Sequence, residues 1–154
     1  KYNNEHKCFF FIFVQKLNMY PKEIYQPMKA ELTSLGFLDL VTSEDANTAL
    51  KKTGTTLVVV NSVCGCAAAN ARPAVKISLN NSITPDNLVT VFAGVDHEAT
   101  KTVRDQMAPF PPSSPSIALF KNSELVHMIE RHHIEGRSAE MIAENLMSSY
   151  NEHC

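Results

Sequence analysis

Two of the chain's four cysteines, Cys64 and Cys66, stand one residue apart in NSVCGCAAANARP, with Gly65 between them. Paired thiols have three ordinary uses. A redox pair exchanges disulfides through thiolate attack. A zinc site would recruit the pair with Cys154 or a histidine, although structural zinc sites space cysteines by two to four residues and gather them as pairs of pairs. Buried thiols can also simply pack as small hydrophobes. The redox use fits this spacing best. Bridging positions i and i+2 closes a very small ring, so the intervening residue must bend sharply, which glycine does without a Cβ penalty. Such a bond is expected to be strained and easily reduced, as a catalytic disulfide needs.

The elements that must position these thiols can be read around them. TTLVVVN, Thr55 to Asn61, is a continuous β-branched run with no polar face. That pattern predicts a central strand of a sheet covered on both sides. The alanine-rich CAAANARPAVKISL that follows predicts a helix, and Pro73 within it predicts a kink. The pair therefore lies past the carboxyl end of a central strand, at the first turn of a helix. In open α/β sheets that edge is where sites are built. Unpaired N–H groups and the helix dipole favour a thiolate there. Cys64 is at the mouth of the turn and Cys66 already inside it, so position alone makes Cys64 the better nucleophile. Arg72, one or two turns further on, is either a contributor to this field and a carboxylate binder or a solvated helix residue.

The rest of the chain supplies the scaffold. Ile24, Tyr25, Met28, Leu32 and Leu35 recur at helical intervals, with Pro27 expected to kink that helix or open its second part and Gly36 to stop it. A short strand is predicted over Phe37 to Val41. A helix capped by Thr42, with Asp45 completing a capping box, should run to near Gly54. Leu88 to Val95 reads as a second central strand, and Asp96 as the cap of a helix carrying Val103 and Met107. PFPPSSPS excludes helix or strand interior. IALFK and ELVHMI flank Asn122 and Ser123 as a hairpin. The last helix starts near Ser138 with a stripe of Ala139, Ile142, Ala143, Leu146, Met147 and Tyr150. The adjacent His132 and His133 would face opposite ways on an extended chain, and a surface turn is expected there rather than a ligand pair. Strands separated by helices imply parallel pairing, and the hairpin adds an antiparallel pair.

Length, charge and composition narrow the functions. The chain has 154 residues, 44% apolar and 19% charged, with a formal net charge of -2. That is a globular balance sufficient for one core. No basic stripe is present, which disfavours nucleic acid. No apolar run approaches the length of a membrane-spanning helix, and four cysteines do not make a disulfide-stapled scaffold. Residues 1–18 hold a dense aromatic run, Phe9 to Val14, that is short for a signal peptide and lacks a small-residue cleavage site. They are read as an extension outside the domain, disordered or artefactual, with Cys8 an incidental thiol and the domain spanning 19–154. Cys154 is a terminal thiol and a minor redox candidate.

TTLVVVNSVCGCAAANARP, VTVFAGVDHEAT, PSSPSIALF and ERHHIEGR, taken together and in this order, resemble the bacilliredoxin family. The resemblance covers about Tyr20 to Cys154. It implies a thioredoxin-like α/β fold: a central mixed sheet flanked by helices, here with extra helical segments at the N-terminal side. It implies a cytoplasmic thiol–disulfide oxidoreductase that removes bacillithiol from proteins carrying it as a mixed disulfide, and the family is also associated with disulfide isomerase activity. Cys64 then corresponds to the attacking cysteine and Cys66 to the resolving one. Pro115 corresponds to a cis-proline that exposes the backbone of Ser114 to a bound peptide or thiol. Gly65, Ser114, Pro115 and Arg72 are the expected substrate-binding residues, with Arg72 serving the field at the thiols or the bacillithiol carboxylates. No metal or organic cofactor is implied. The partners are bacillithiolated client proteins, bacillithiol itself and a recycling disulfide reductase, with no nucleic acid and no membrane. The competing readings are a general disulfide isomerase or reductase and a thiolate metal-binding protein. Metal content after reducing purification separates the latter.

Overall fold

The computed structural model describes residues 20–154. The extension at residues 1–18, Cys8 included, lies outside the described residues. The element order is α1 (Lys22–Thr33), β1 (Leu38–Asp39), α2 (Ser43–Leu50), β2 (Thr55–Asn61), a π-helical turn (Ala67–Ala71) running into α3 (Arg72–Ser78), β3 (Asn87–Phe92), α4 (His97–Gln106), β4 (Ser116–Lys121), β5 (Glu124–Ile129), α5 (Arg131–Ile134) and α6 (Ala139–His153).

The strands form one mixed sheet in the order β1-β3-β2-β4-β5, with β2 central. β2 is buried along its whole length, as its mostly β-branched run requires. Alternate side chains of a strand face opposite ways, so Leu57 and Val59 enter one core and Val58 and Val60 the other. The first core is closed by α3 and α6 through Ala74, Val75, Ile142, Leu146 and Tyr150. The second is closed by α2 and α4 through Ala46, Ala49, Ala99 and Val103. Full burial of each aliphatic side chain contributes about 1.5–3 kcal/mol. The Tyr150 phenol lies inside the first core against the Ser78 hydroxyl at 3.0 Å, tying α6 to α3. Burial pushes its pKa up to about 12.

Several local expectations hold. Thr42 and Asp45 form the capping box at the start of α2. Gly36 takes φ +96° after α1. Asn122 and Ser123 both adopt positive φ, as a two-residue hairpin turn with the right twist demands. Ser138 caps α6 through the Met141 N–H.

Others are corrected. α1 continues through Pro27. β1 is limited to two residues, and α2 stops at Leu50 well before Gly54. β3 ends at Phe92 rather than Val95. Asp96 stands at the start of α4 but does not cap it with its side chain. Its carboxylate instead accepts from Lys29 Nζ at 2.7 Å and from the Phe92 N–H at 3.0 Å. The irregularity expected at Pro73 takes the form of a π-helical turn, Ala67–Ala71, directly before α3, with Pro73 in the first turn of α3. β4 follows a helix yet pairs antiparallel to β2, because the proline-rich loop delivers the chain to the carboxyl end of β2, where Ser116 lies beside Val60. His132 and His133 lie on the single-turn helix α5, not an extended turn, with their rings 3.9 Å apart.

Candidate active site

The dithiol is placed by the carboxyl end of β2. Asn61, the last residue of that strand, accepts from the Ser62 N–H at 2.9 Å and donates to the Met28 carbonyl at 3.1 Å. The Ser62 hydroxyl accepts from the Cys64 N–H at 3.3 Å. Arg72 fastens this corner from below: its Nη1 donates to Asn61 Oδ1 at 3.1 Å and to the Ser62 carbonyl at 3.2 Å, and its Nε to Glu31 at 2.7 Å. Only 3% of Arg72 is exposed. It is therefore neither solvated nor turned toward a substrate; Nη1 is spent on the chain that leads into the motif and Nε on Glu31 of α1.

Cys64 and Cys66 are joined as a disulfide with their Cα atoms 5.3 Å apart. The helical turn begins at Gly65, which leaves Cys64 at its mouth. The Cys66 N–H donates to Cys64 Sγ at 3.4 Å, a helix-start N–H aimed at that sulfur. Cys66 packs against the first core. The reason expected for Gly65 is corrected. Its φ is not positive, and a Cβ built there meets nothing within 4 Å. The lack of a side chain leaves open space beside the sulfurs rather than permitting a special bend.

The Ser114–Pro115 peptide bond is cis, as is Ala108–Pro109. Pro115 is buried and directly precedes β4. The Ser114 carbonyl is held by Arg131 Nη1 at 3.3 Å, and the same guanidinium places Nη2 3.5 Å from Cys64 Sγ. Arg131 is anchored by its backbone N–H on the Ser113 hydroxyl at 3.3 Å and by Nε on Glu135 at 2.6 Å. A cation at that distance favours the thiolate over the thiol. An open cleft of about 350 Å³ joins Cys64 to Tyr20, Gly94, Arg104, Ser114 and Arg131. Arg104 enters it from α4, with Nη2 3.4 Å from the Ser113 carbonyl. Burial holds its guanidinium below the usual arginine range.

Arg131 and Arg104 are the residues sequence reasoning missed. Arg131 is 67 positions from Cys64 in the chain, and no local pattern links them; only the placement of β5 and α5 brings them together. Cys154 is an exposed free thiol at the end of α6. His132, His133 and Glu130 have donor atoms within 4.8 Å of one another, a set that excludes the dithiol. Among the described residues no helix is long and apolar enough to cross a membrane.

Comparison with known proteins agrees with this geometry. The profile of the family described as disulphide isomerase matches residues 20–154. A bacilliredoxin of Cytophaga hutchinsonii is 56% identical over 134 residues, covering 87% of this chain and 99% of the relative. A bacilliredoxin of Halalkalibacterium halodurans is 53% identical over 136 residues, covering 88% and 94%. Among solved structures, the thioredoxin-like domain of an Arabidopsis protein superposes with TM-score 0.52 at 16% identity, over 77% of this chain and 79% of that one. Oxidised mitochondrial thioredoxin 3 of Saccharomyces cerevisiae gives TM-score 0.51 at 13% identity, over 79% and 98%. With a thioredoxin-like sheet and a dithiol at the carboxyl end of its central strand, the chain is a thiol–disulfide oxidoreductase and belongs to the bacilliredoxin family.

Proposed function

We propose that this protein removes bacillithiol from client proteins that carry it as a mixed disulfide, with Cys64 attacking and Cys66 resolving. The observation that carries the assignment of roles is the surroundings of the Cys64 sulfur. It receives the Cys66 N–H and the Arg131 guanidinium and faces the open cleft, whereas Cys66 packs against the core. The bacillithiol half of the reading is supported by the bacilliredoxin relatives.

In the first step the Cys64 thiolate attacks the bacillithiol sulfur. The Cys64–bacillithiol disulfide forms, the client–bacillithiol bond breaks, and the client leaves as a thiolate that takes a proton from water. In the second step the Cys66 thiolate attacks Cys64 Sγ, releasing reduced bacillithiol and leaving the Cys64–Cys66 disulfide. A recycling disulfide reductase, or free bacillithiol acting on the Cys64 adduct, returns the dithiol state. The exchange needs no metal or organic cofactor, and a reducing cytoplasm is the compartment where it would run. The family description as disulphide isomerase favours a second reading, in which the same pair reshuffles protein disulfides.

Intact-mass measurement after one turnover with a bacillithiolated client tests the assignment. Cys64→Ser should accept no bacillithiol. Cys66→Ser should accumulate the Cys64 adduct and release it only when a thiol is added. An adduct on Cys64→Ser and none on Cys66→Ser would invert the roles. Exchange of protein disulfides without transfer from the bacillithiolated client would favour the isomerase reading.

A further inference from the structure

The cleft beside Cys64 carries a charge that the dithiol chemistry leaves unused. Of the residues lining it, two are arginines and none is acidic. The two differ in how they are spent. Arg131 pairs with Glu135 and touches Cys64 Sγ and the Ser114 carbonyl. Arg104 has one hydrogen bond among the described residues, the 3.4 Å contact from Nη2 to the Ser113 carbonyl. Its Nε is buried without a partner among the described residues. The neighbouring Asp105 is taken by Lys101 at 2.7 Å.

A guanidinium offers five donors in a planar fork that matches a carboxylate in bidentate fashion. A partly desolvated guanidinium with so few partners is an anion receptor without its anion. The cleft, at about 350 Å³, is of small-molecule size rather than the footprint of a protein surface. We propose that Arg104 anchors a carboxylate of the low-molecular-weight half of the mixed disulfide, so that the cleft selects acidic small thiols for exchange at Cys64. This rests on the exchange reading above, and it separates two roles. Arg131 acts on the sulfur whatever the substrate is, whereas Arg104 acts only where the substrate carries negative charge.

The test uses the described chain reduced with a dithiol, freed of it, and mixed in stopped flow with three symmetric disulfides. Oxidised glutathione is anionic, 2-hydroxyethyl disulfide neutral and cystamine cationic. In each reaction the Cys64 and Cys66 thiols are oxidised to their disulfide and the probe is reduced to two thiols, so electrons and protons balance within the pair. Leaving-group reactivity differs between probes, so the readout is the wild-type-to-variant rate ratio for each probe. Arg104→Gln should lower the rate with oxidised glutathione about tenfold, leave the neutral probe unchanged and speed the cationic one. Arg104→Lys should recover part of the loss, and Arg131→Gln should slow all three probes. The anionic rate should fall with added salt in wild type and much less in Arg104→Gln. An Arg104→Gln variant that slows every probe alike, or that leaves the anionic ratio at one, overturns the proposal while the exchange reading stands. A wild type inert to all three probes removes the exchange reading and this inference with it.

Discussion

The two ends of β2 are built to opposite rules. At the amino end, Gly54, Thr55, Asp86 and Asn122 are bonded to one another. Asp86 accepts from both the Thr55 N–H and the Thr55 hydroxyl, at 2.7 and 2.9 Å, while the Asp86 N–H returns to that hydroxyl at 3.0 Å. Asn122 brackets Gly54 through its side chain and backbone, both at 2.8 Å. Gly54 sits at φ +84°, and a Cβ there would lie 2.5 Å from Asp86 Oδ2, so this end admits nothing more. At the carboxyl end, the strand is clamped on one side by Arg72 and left open on the other. There the Arg131 guanidinium contacts a sulfur and Arg104 keeps donors in reserve. A saturated end contributes only stability. An unsaturated end holds groups whose interactions a substrate can complete, at the edge where α/β sheets build their sites.

The sharpest way to break this contrast is to treat Arg72 and Arg131 as equivalent. Arg72 is buried, and its removal strands the Ser62 carbonyl without a donor, leaves Asn61 Oδ1 with the Ser62 N–H alone and opens a void. Arg72→Met should cost about 3 kcal/mol of unfolding free energy, the largest stability loss expected here, read as a lowered urea midpoint. The partner Glu31 is half exposed and adds little to that cost. A variant as stable as wild type would show that the corner of the motif does not depend on this clamp.

Arg131→Gln should do the reverse. Its ion pair with Glu135 is an exposed i,i+4 contact, worth about 0.3–0.5 kcal/mol, so stability should hardly move. Exchange at neutral pH should fall by about tenfold, because loss of a neighbouring cation disfavours the Cys64 thiolate. The diagnostic is the pH profile of alkylation of reduced Cys64, which should move to higher pH in Arg131→Gln and return with Arg131→Lys. A profile that stays in place while the rate falls would make Arg131 a merely steric element of the cleft.

This contrast explains how far the sequence could be read. The strand end, the helix start and the placement of the two cysteines between them were legible because each is a local pattern: the β-branched run of β2, the alanine-rich segment, the Cys-Gly-Cys turn. The thioredoxin-like architecture was implied by the resemblance of four ordered motifs to the bacilliredoxin family. Arg72 was misjudged because a charged residue in a helix is usually solvated, and its burial depends on Glu31 of α1, 41 positions earlier. Gly65 was assigned a backbone role because glycine often has one, whereas here its use is open space. Arg131 lies within ERHHIEGR, one of the motifs that carry the resemblance, but neither it nor Arg104 shows a local pattern tying it to Cys64. They reach Cys64 through strand pairing and through the loop that holds Ser113 and Ser114, which single-sequence patterns do not encode.

The smallest effect belongs to the closed end and asks whether its pairing is electrostatic. The Thr55 backbone and hydroxyl donors hold the Asp86 carboxyl below its ordinary value of 3.8. A carboxylate whose folded pKa is depressed contributes stability above its unfolded pKa, and that contribution is lost as pH falls through the folded value. The window therefore lies below about pH 4. Asp86 is exposed, so solvent screening keeps the contribution under about 1 kcal/mol. Asp86→Asn should lower the urea midpoint slightly at pH 7, since an amide oxygen accepts less strongly than a carboxylate. The gap to wild type should close as both are taken toward pH 2, where the wild-type carboxyl is protonated. Exchange at Cys64 should be unaltered throughout, because nothing at this end of β2 reaches the sulfur. A gap that persists undiminished in acid would mean that Asp86 holds Thr55 by shape rather than by charge.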